Sequence, residues 1–133
     1  MSKIQLGVVA FGTLILELLG GWDGMLKTLI IFVVLDYFTG VLSALYNKGL
    51  SSQIGYKGII KKVSIFVVVV IACVISETMK LDMVRSATIV FYISNEGISI
   101  LENIAKCDVE YPDIIKKILE KLKKGDDNEN KQG

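Results

Sequence analysis

Residues 94–103 have the sequence SNEGISILEN and place carboxylates and amides inside an otherwise apolar segment, 84–105. The helical spacings of three, four and seven residues bring together Asn95, Glu96, Ser99, Glu102 and Asn103. A helix of this length can cross a bilayer, where a face with charged and amide groups cannot contact lipid. We therefore expect this face to meet another helix, another subunit or water.

The segment 84–105 is also poorly suited to enter a membrane alone. Its apolar side chains contribute about 4–5 kcal/mol on an insertion scale, and Glu96 and Glu102 cost about as much or more. The sequence therefore predicts that this helix depends on partners for its stability in the membrane.

The composition indicates a small integral membrane protein with a polar tail. The chain has 133 residues, of which 52% are hydrophobic, and a formal net charge of +1; its mean hydropathy is +0.54. There is no histidine, and the two cysteines lack the spacing of a metal site. The sequence has neither a nucleophile–base pair nor a phosphate-binding loop. We expect a protein that is not an enzyme, needs no cofactor and does not bind nucleic acid.

Three further apolar segments predict an all-α integral membrane protein with three to four short transmembrane helices. The helices of this membrane domain, residues 1–106, are predicted at about 4–20, 26–46, 61–79 and 84–105. The first is short, at about 27 Å, and contains Glu17. It either spans within a bundle or lies in the interface, and we favour spanning. Trp22, in the following turn, is suited to anchor the chain at the headgroups.

The second segment carries a companion polar face. Asp36 lies at its midpoint, and helical spacing adds Thr39, Gly40 and Ser43. We expect the polar face of residues 94–103 to meet this one, with no lysine or arginine at the depth of the carboxylates. We interpret the two faces as contacts of a homo-oligomer that open into a hydrated lumen. The alternative is that they form static hydrogen bonds between helices.

Lysines mark the two regions that are predicted to be cytoplasmic. Lys57, Lys61 and Lys62 follow the second segment and are predicted to lie at the membrane surface, and a basic amphipathic helix, residues 107–124, follows the fourth segment. The lysines of that helix are predicted to bind an anionic membrane surface, with contact to its own bundle as the alternative: Lys116, Lys117, Lys121, Lys123 and Lys124. The positive-inside rule then puts the C-terminus in the cytoplasm. Residues 125–133 are predicted to be a disordered tail.

Four blocks of the sequence resemble a known family. They are GGWD at 20–23, LDYFTGVL at 35–42, SxxGYKGIxKK at 52–62 and FYIxNEGxSILEN at 91–103, followed by Pro112. Together they resemble the toxin-secretion and phage-lysis holin family of Gram-positive bacteria and their phages. The resemblance implies a multi-pass protein of the cytoplasmic membrane that accumulates, oligomerises and opens a lesion. An endolysin, or a large toxin in clostridial relatives, would be the functional partner that is released, and the family is commonly drawn with three spans.

Two other functions stay open at this point. One is a small proton-coupled transporter similar to the small multidrug-resistance proteins, in which Glu17 would be the carboxylate of the first helix. The other is a non-conducting membrane scaffold that recruits partners through the basic helix.

Overall fold

Helices account for every regular element that the computed structural model describes, which covers residues 1–47, 49 and 51–132, with side chains up to residue 125. The five helices are α1 (Lys3–Leu18), α2 (Gly24–Tyr46), α3 (Ser52–Met79), α4 (Met83–Lys106) and α5 (Asp113–Gln132). The all-α prediction is therefore confirmed for the described residues.

Side-chain caps set the starts of the first three helices. Ser2 and Gln5 form a capping box at α1, and the backbone N–H of Leu26 donates to Asp23 Oδ1 at 2.8 Å at the start of α2. The side chain of Ser51 accepts from the backbone N–H of Ile54, so α3 begins at Ser52, nine residues before its predicted start at residue 61. The predicted loop is wrong in this part because an N-cap serine outweighs the two helix-weakening glycines that follow it.

The bundle is built on α2, α3 and α4. The α2 and α4 helices lie side by side and parallel: Asp23 contacts Arg85 at one end, and Asn47 Nδ2 donates to the carbonyl of Lys106 at 3.3 Å at the other. The α3 helix runs antiparallel to both. We call these the Asp23 end and the Asn47 end of the bundle.

Most of the apolar core lies in the half of the bundle nearer the Asp23 end. Its buried members are Leu19, Leu26, Leu29, Val33, Ile65, Val69, Cys73 and Ile89. Leu26, Leu29, Val69 and Ile89 have no exposed surface, so this half is packed like a protein interior. Cys73 is a buried small side chain in that core, as its apolar sequence context predicts.

Two of the described helices, α2 and α3, are long and apolar enough to cross a membrane. None of the 16 described residues of α1 is buried, and its contacts with the bundle lie on α3. Hydropathy thus supports two spans, and a third and fourth remain predictions.

The α5 helix packs against α4. Residues 107–112 reverse the chain, and Leu119 is buried against the Cα of Gly97. Lys123 Nζ donates to Asn95 Oδ1 at 3.2 Å and lies 5.9 Å from the centre of the Phe91 ring. Contact with the chain's own bundle, the alternative left open by the sequence, is therefore what the structure contains.

The end of α5 differs from the sequence expectation. The helix continues to Gln132, whereas the sequence analysis ended it at residue 124 and assigned 125–133 to a disordered tail. The sequence beyond Gly125 contains no proline and offers helix-compatible Glu, Lys and Gln residues. The last residue of the predicted tail, Gly133, lies outside the described residues.

Candidate functional site

The two polar faces identified in the sequence meet within a single chain. Asn103 on α4 donates through Nδ2 to Asp36 Oδ1 and to Thr39 Oγ1 on α2, both at 3.0 Å, and to the Asp36 carbonyl at 3.2 Å. Gly40 lies beside this contact, but a Cβ added there would be 3.6 Å from the same Asn103 nitrogen, an ordinary contact distance, so the approach does not depend on the glycine. One amide in the last turn of α4 thus joins that helix to the middle of α2.

A lysine from α3 completes this site. Lys62 Nζ lies 2.7 Å from Glu96 Oε2 and also pairs with Asp36 Oδ2. Both carboxylates are buried, with 6% of Asp36 and 3% of Glu96 exposed, and 15% of the lysine side chain is exposed. We refer to Asp36, Lys62 and Glu96 as the ion cluster.

The ion cluster overturns two sequence expectations. The carboxylates were expected to lack a cation at their depth, and Lys62 was assigned to the membrane surface; both are wrong. The reason is the early start of α3 at Ser52, which puts Lys62 well inside the helix rather than in the first turn of a helix predicted to begin at residue 61. The missed signal was periodicity: Lys62 precedes the buried Ile65 and Val69 by three and seven residues, so it shares their helical face.

The ion cluster links three helices through ion pairs, from Lys62 on α3 to Asp36 on α2 and Glu96 on α4. Buried charges are tolerated when they are paired and hydrogen-bonded, and removing one partner leaves an uncompensated charge. With all three groups ionised the cluster carries a formal charge of −1, because two carboxylates share one ammonium. Among the described residues, no group of His, Cys, Asp and Glu could hold a metal ion.

A cavity of about 760 Å³ leads from the Asn47 end of the bundle to the ion cluster. Asp36 and Lys62 form its deep end, and polar side chains of α2 and α4 line it: Ser43, Asn47, Ser99 and Asn103. Lys106 and Asp108 line its mouth at the Asn47 end, and Lys61, next to Lys62 on α3, lines its side. One wall is formed by Tyr37 against two glycines of α3, where a Cβ on Gly55 would lie 3.3 Å from the tyrosine oxygen.

Arg85 holds the opposite end of the bundle together. Its guanidinium donates to the carbonyls of Leu19 at 2.8 Å and Gly21 at 3.1 Å, and to Asp23 Oδ2 at 2.7 Å. Its backbone N–H donates to Ser76 Oγ at 2.9 Å. We call this set of contacts the Arg85 clasp.

The hydrogen bond from Arg85 lowers the pKa of Asp23, and the backbone N–H of Leu26 acts in the same direction. Arg85 lies at the start of the predicted fourth helix, residues 84–105, and the sequence did not single it out. Arg85 lies 64 residues after Gly21 and 65 after Gly20 in the chain. The sequence alone does not show that its side chain approaches the turn formed by these glycines.

The remaining residues singled out in the sequence lie outside the cluster. Glu102 is exposed, Asn95 is half-buried and holds Lys123, and Trp22 is 58% exposed. The lysines expected at the membrane surface are exposed: Lys57, Lys61, Lys116, Lys117, Lys121, Lys123 and Lys124. Their binding to lipid, and the role of the polar faces in an oligomer, remain predictions.

A helical bundle with two helices able to cross a membrane is the architecture of a small helical membrane protein. The sequence profile of the bacteriophage holin family matches residues 13–124, and the chain belongs to this family. The resemblance found in the four sequence blocks is thereby confirmed.

Similar proteins occur in Gram-positive bacteria and in one of their phages. An uncharacterized protein of Clostridium perfringens (strain 13 / Type A) is 43% identical over 121 residues, 90% of each chain. An uncharacterized protein of Listeria innocua is 38% identical over 117 residues, 87% of this chain and 84% of that protein. A probable holin of Bacillus phage phi105 is 34% identical over 108 residues, 80% of each chain. No solved structure matches.

Proposed function

We propose that this protein is a holin, which assembles in the bacterial cytoplasmic membrane and opens lesions that release an endolysin or a large toxin. The observation that carries the proposal is the match to the holin family over residues 13–124. The similarity to the probable holin of phage phi105 over 80% of each chain supports it. The two apolar helices supply the means to enter a membrane.

The membrane placement we propose has three spans, α2, α3 and α4. If α2 and α3 cross, α4 lies at the same depth, because its two ends are level with those of α2 through the contacts at Asp23–Arg85 and Asn47–Lys106. The pairing of Glu96 with Lys62 lowers the cost of burying the α4 helix. The 28 residues of α3 measure about 42 Å, so its lysine-bearing start projects on the cytoplasmic side.

In this placement the C-terminus is cytoplasmic and α1 stays outside the bilayer core. The 16 residues of α1 measure about 24 Å, which is shorter than the roughly 30 Å of hydrocarbon. We propose that α1 lies in the outer interface, next to Trp22, and that the N-terminus faces outward.

Assembly requires α5 to leave α4. While Leu119 lies against Gly97 halfway along α4, the exposed lysines of α5 would be at the depth of the hydrocarbon, where a charged side chain costs roughly 3 kcal/mol or more. We propose that α5 moves to the inner leaflet and binds anionic headgroups through those lysines. The face of α4 around Asn95 and Gly97 is then free for a second copy, since glycine permits close helix contact.

Opening follows when the ion cluster is drawn apart and hydrated in the assembled state. A trigger of suitable size is the membrane potential, because moving one charge across it is worth about 2.3 kcal/mol per 100 mV. Several subunits that each displace part of a charge would respond steeply to a fall in potential.

Induction of the protein in a bacterial host tests the proposal against its alternatives. A holin produces an abrupt loss of membrane potential after a delay, read with a potential-sensitive dye. Growth resistance to cationic drugs without loss of potential would indicate a transporter, and neither effect would indicate a scaffold. The transporter is the weaker alternative because Glu17 is exposed on α1 and lies outside the residues that line the cavity.

A further inference from the structure

The bundle is divided along its length into a half with a polar-lined cavity and a half with a packed apolar core. From the ion cluster to the Asn47 end, α2, α3 and α4 separate to form the cavity of about 760 Å³. From Val33 to Leu26 the same helices close on the apolar core, over about 10 Å of helix. The ion cluster lies at the boundary between the two halves.

We propose that the cavity is a water-filled vestibule that makes the ion cluster a proton-binding site open to the cytoplasmic side only. The ligand is a proton delivered by water. This inference rests on the membrane placement of the proposed function and is independent of lesion formation, because it concerns the protein before assembly.

The cavity has the size and the lining that water requires. A single water needs roughly 10–15 Å³ of such volume and two to four polar partners, and this space is many times larger. Thr39 and Asn103 are hydrogen-bonded beside the carboxylate of Asp36, while Ser43 and Ser99 line the route toward the mouth. A chain of waters along these groups connects the cytoplasm with the buried carboxylates.

The ion cluster has two carboxylates and one ammonium, so one carboxylate can bind a proton while the other keeps its ion pair with Lys62. Transfer of one proton from water to a carboxylate of Asp36 or Glu96 changes the formal charge of the cluster from −1 to zero. Lys62 then keeps an ion pair with one carboxylate and a neutral hydrogen bond to the other. The titratable and charged groups that face the cluster and its vestibule are Asp36 and Tyr37 on α2, Lys61 and Lys62 on α3, and Glu96, Lys106 and Asp108 on or just after α4.

The apolar core separates this site from the other side of the membrane. A smaller cavity of about 300 Å³ lies at the Asp23 end, beside Arg85, Ser76 and Cys73. Leu29, Val69 and Ile89, each without exposed surface, lie between that cavity and the ion cluster. Water and protons therefore reach the ion cluster only from the cytoplasmic side while the apolar core is closed.

Thiol accessibility tests the vestibule with a matched pair on one helix. In a Cys73→Ala, Cys107→Ala background, Ser99→Cys lies in the cavity, whereas Ser94→Cys, five residues earlier, replaces a side chain with no exposed surface. A small charged methanethiosulfonate reagent is added to sealed inverted or right-side-out vesicles, with protein below the amount that releases an entrapped dye. We expect Ser99→Cys to react at least tenfold faster than Ser94→Cys from the cytoplasmic side, and only from that side.

Equal rates for the two variants, or equal rates for Ser99→Cys from both sides, would overturn the vestibule. Ser43→Cys on α2 provides a second cavity position, so that misfolding of one variant does not decide the result. Failure of the proposed holin function is distinguishable from failure of the vestibule, because a protein that never opens lesions still gives the expected accessibility pattern.

Infrared spectroscopy of the same vesicles tests proton binding. Acidification of the cytoplasmic compartment is expected to produce the carbonyl band of a protonated carboxyl, and acidification of the opposite compartment is not. Glu96→Gln or Asp36→Asn should alter this band, whereas Glu102→Gln, an exposed position on α4, should leave it unchanged. If the carbonyl band still appeared unchanged in both Glu96→Gln and Asp36→Asn after acidification of the cytoplasmic compartment, the proton would bind elsewhere and the proposal would be contradicted.

Discussion

The ammonium of Lys62 on α3 lies 2.7 Å from the carboxylate of Glu96 on α4, and it also pairs with Asp36 on α2. A buried carboxylate of the polar stretch 94–103 is thus paired with a cation from the same molecule. The contact joins all three helices that we propose as spans. In the proposed membrane placement, this pairing offsets part of the insertion cost that the sequence predicts for α4.

Removal of the Lys62 charge should destabilise the bundle. Lys62→Met leaves two buried carboxylates without a cation, and breaking a buried ion pair costs about 3–5 kcal/mol. The free energy of unfolding in detergent micelles measures the effect. Lys61→Met is the matched control, because Lys61 is the neighbouring lysine on α3 but is exposed and lies outside the ion cluster.

Neutralisation of the whole cluster should recover much of that loss. In the triple variant Lys62→Met, Asp36→Asn, Glu96→Gln no charge remains buried, so the penalty of the single variant is removed. If Lys61→Met and Lys62→Met lowered stability equally, the ion cluster would have no structural role.

The two glycines of the α1–α2 turn provide a test of the Arg85 clasp. Gly20 and Gly21 both have positive φ, at 88° and 93°, so alanine at either position strains the backbone by about 1 kcal/mol. A Cβ on Gly20 would also collide with the Arg85 side chain, whereas one on Gly21 has open space. Gly20→Ala should therefore lower the melting temperature clearly more than Gly21→Ala; equal shifts would mean that the arginine moves aside without loss.

Acid should weaken the same clasp. Because Arg85 lowers the pKa of Asp23 in the folded chain, the ion pair contributes fully above the ordinary aspartate pKa of about 3.9 and is lost as the pH falls through the lower folded value. The contribution is small, at most about 1 kcal/mol, because 44% of the Asp23 side chain is exposed. Asp23→Asn retains a good N-cap and should remove this part of the pH dependence of unfolding; an unchanged profile would contradict the assignment.

Loss of the Leu119 side chain should release α5 and advance lesion formation. Leu119 is 7% exposed, whereas its neighbour Ile118 is 51% exposed, so only Leu119→Ala removes substantial packing, worth roughly 2 kcal/mol or more. We expect faster proteolysis within α5 and an earlier onset of potential loss for Leu119→Ala than for Ile118→Ala. A delayed onset would indicate that docked α5 is needed for assembly.

The side of the membrane reached by the N-terminus decides the number of spans. In a Cys73→Ala, Cys107→Ala background, Ser2→Cys should react with an impermeant thiol reagent added outside intact cells if α1 lies in the outer interface. Reaction only after the membrane is permeabilised would place the N-terminus in the cytoplasm and make α1 a fourth span.

The sequence was sufficient for the number and order of the helices, though not for the start of α3 or the end of α5, because helical periodicity is local. It was also sufficient for the contact between the two polar faces, because the same periodicity places Asp36 and Asn103 on faces that are expected to avoid lipid. It was insufficient for Lys62, which lies 26 and 34 residues from its partners. The cap at Ser51, which extends α3 to before Lys62, competes with the glycines that indicated a loop. The Arg85 clasp depends on the start of α4 lying beside the α1–α2 turn. This arrangement is determined by helix packing and not by local sequence.

Coexpression with an endolysin tests the central claim most directly. An endolysin that lacks an export signal stays in the cytoplasm, so culture turbidity falls only if a membrane lesion lets it reach the cell wall. We expect an abrupt fall after a delay when both proteins are induced, and none with the endolysin alone. Steady turbidity with both proteins present in the cells, this protein being verified in the membrane, would contradict its function as a holin.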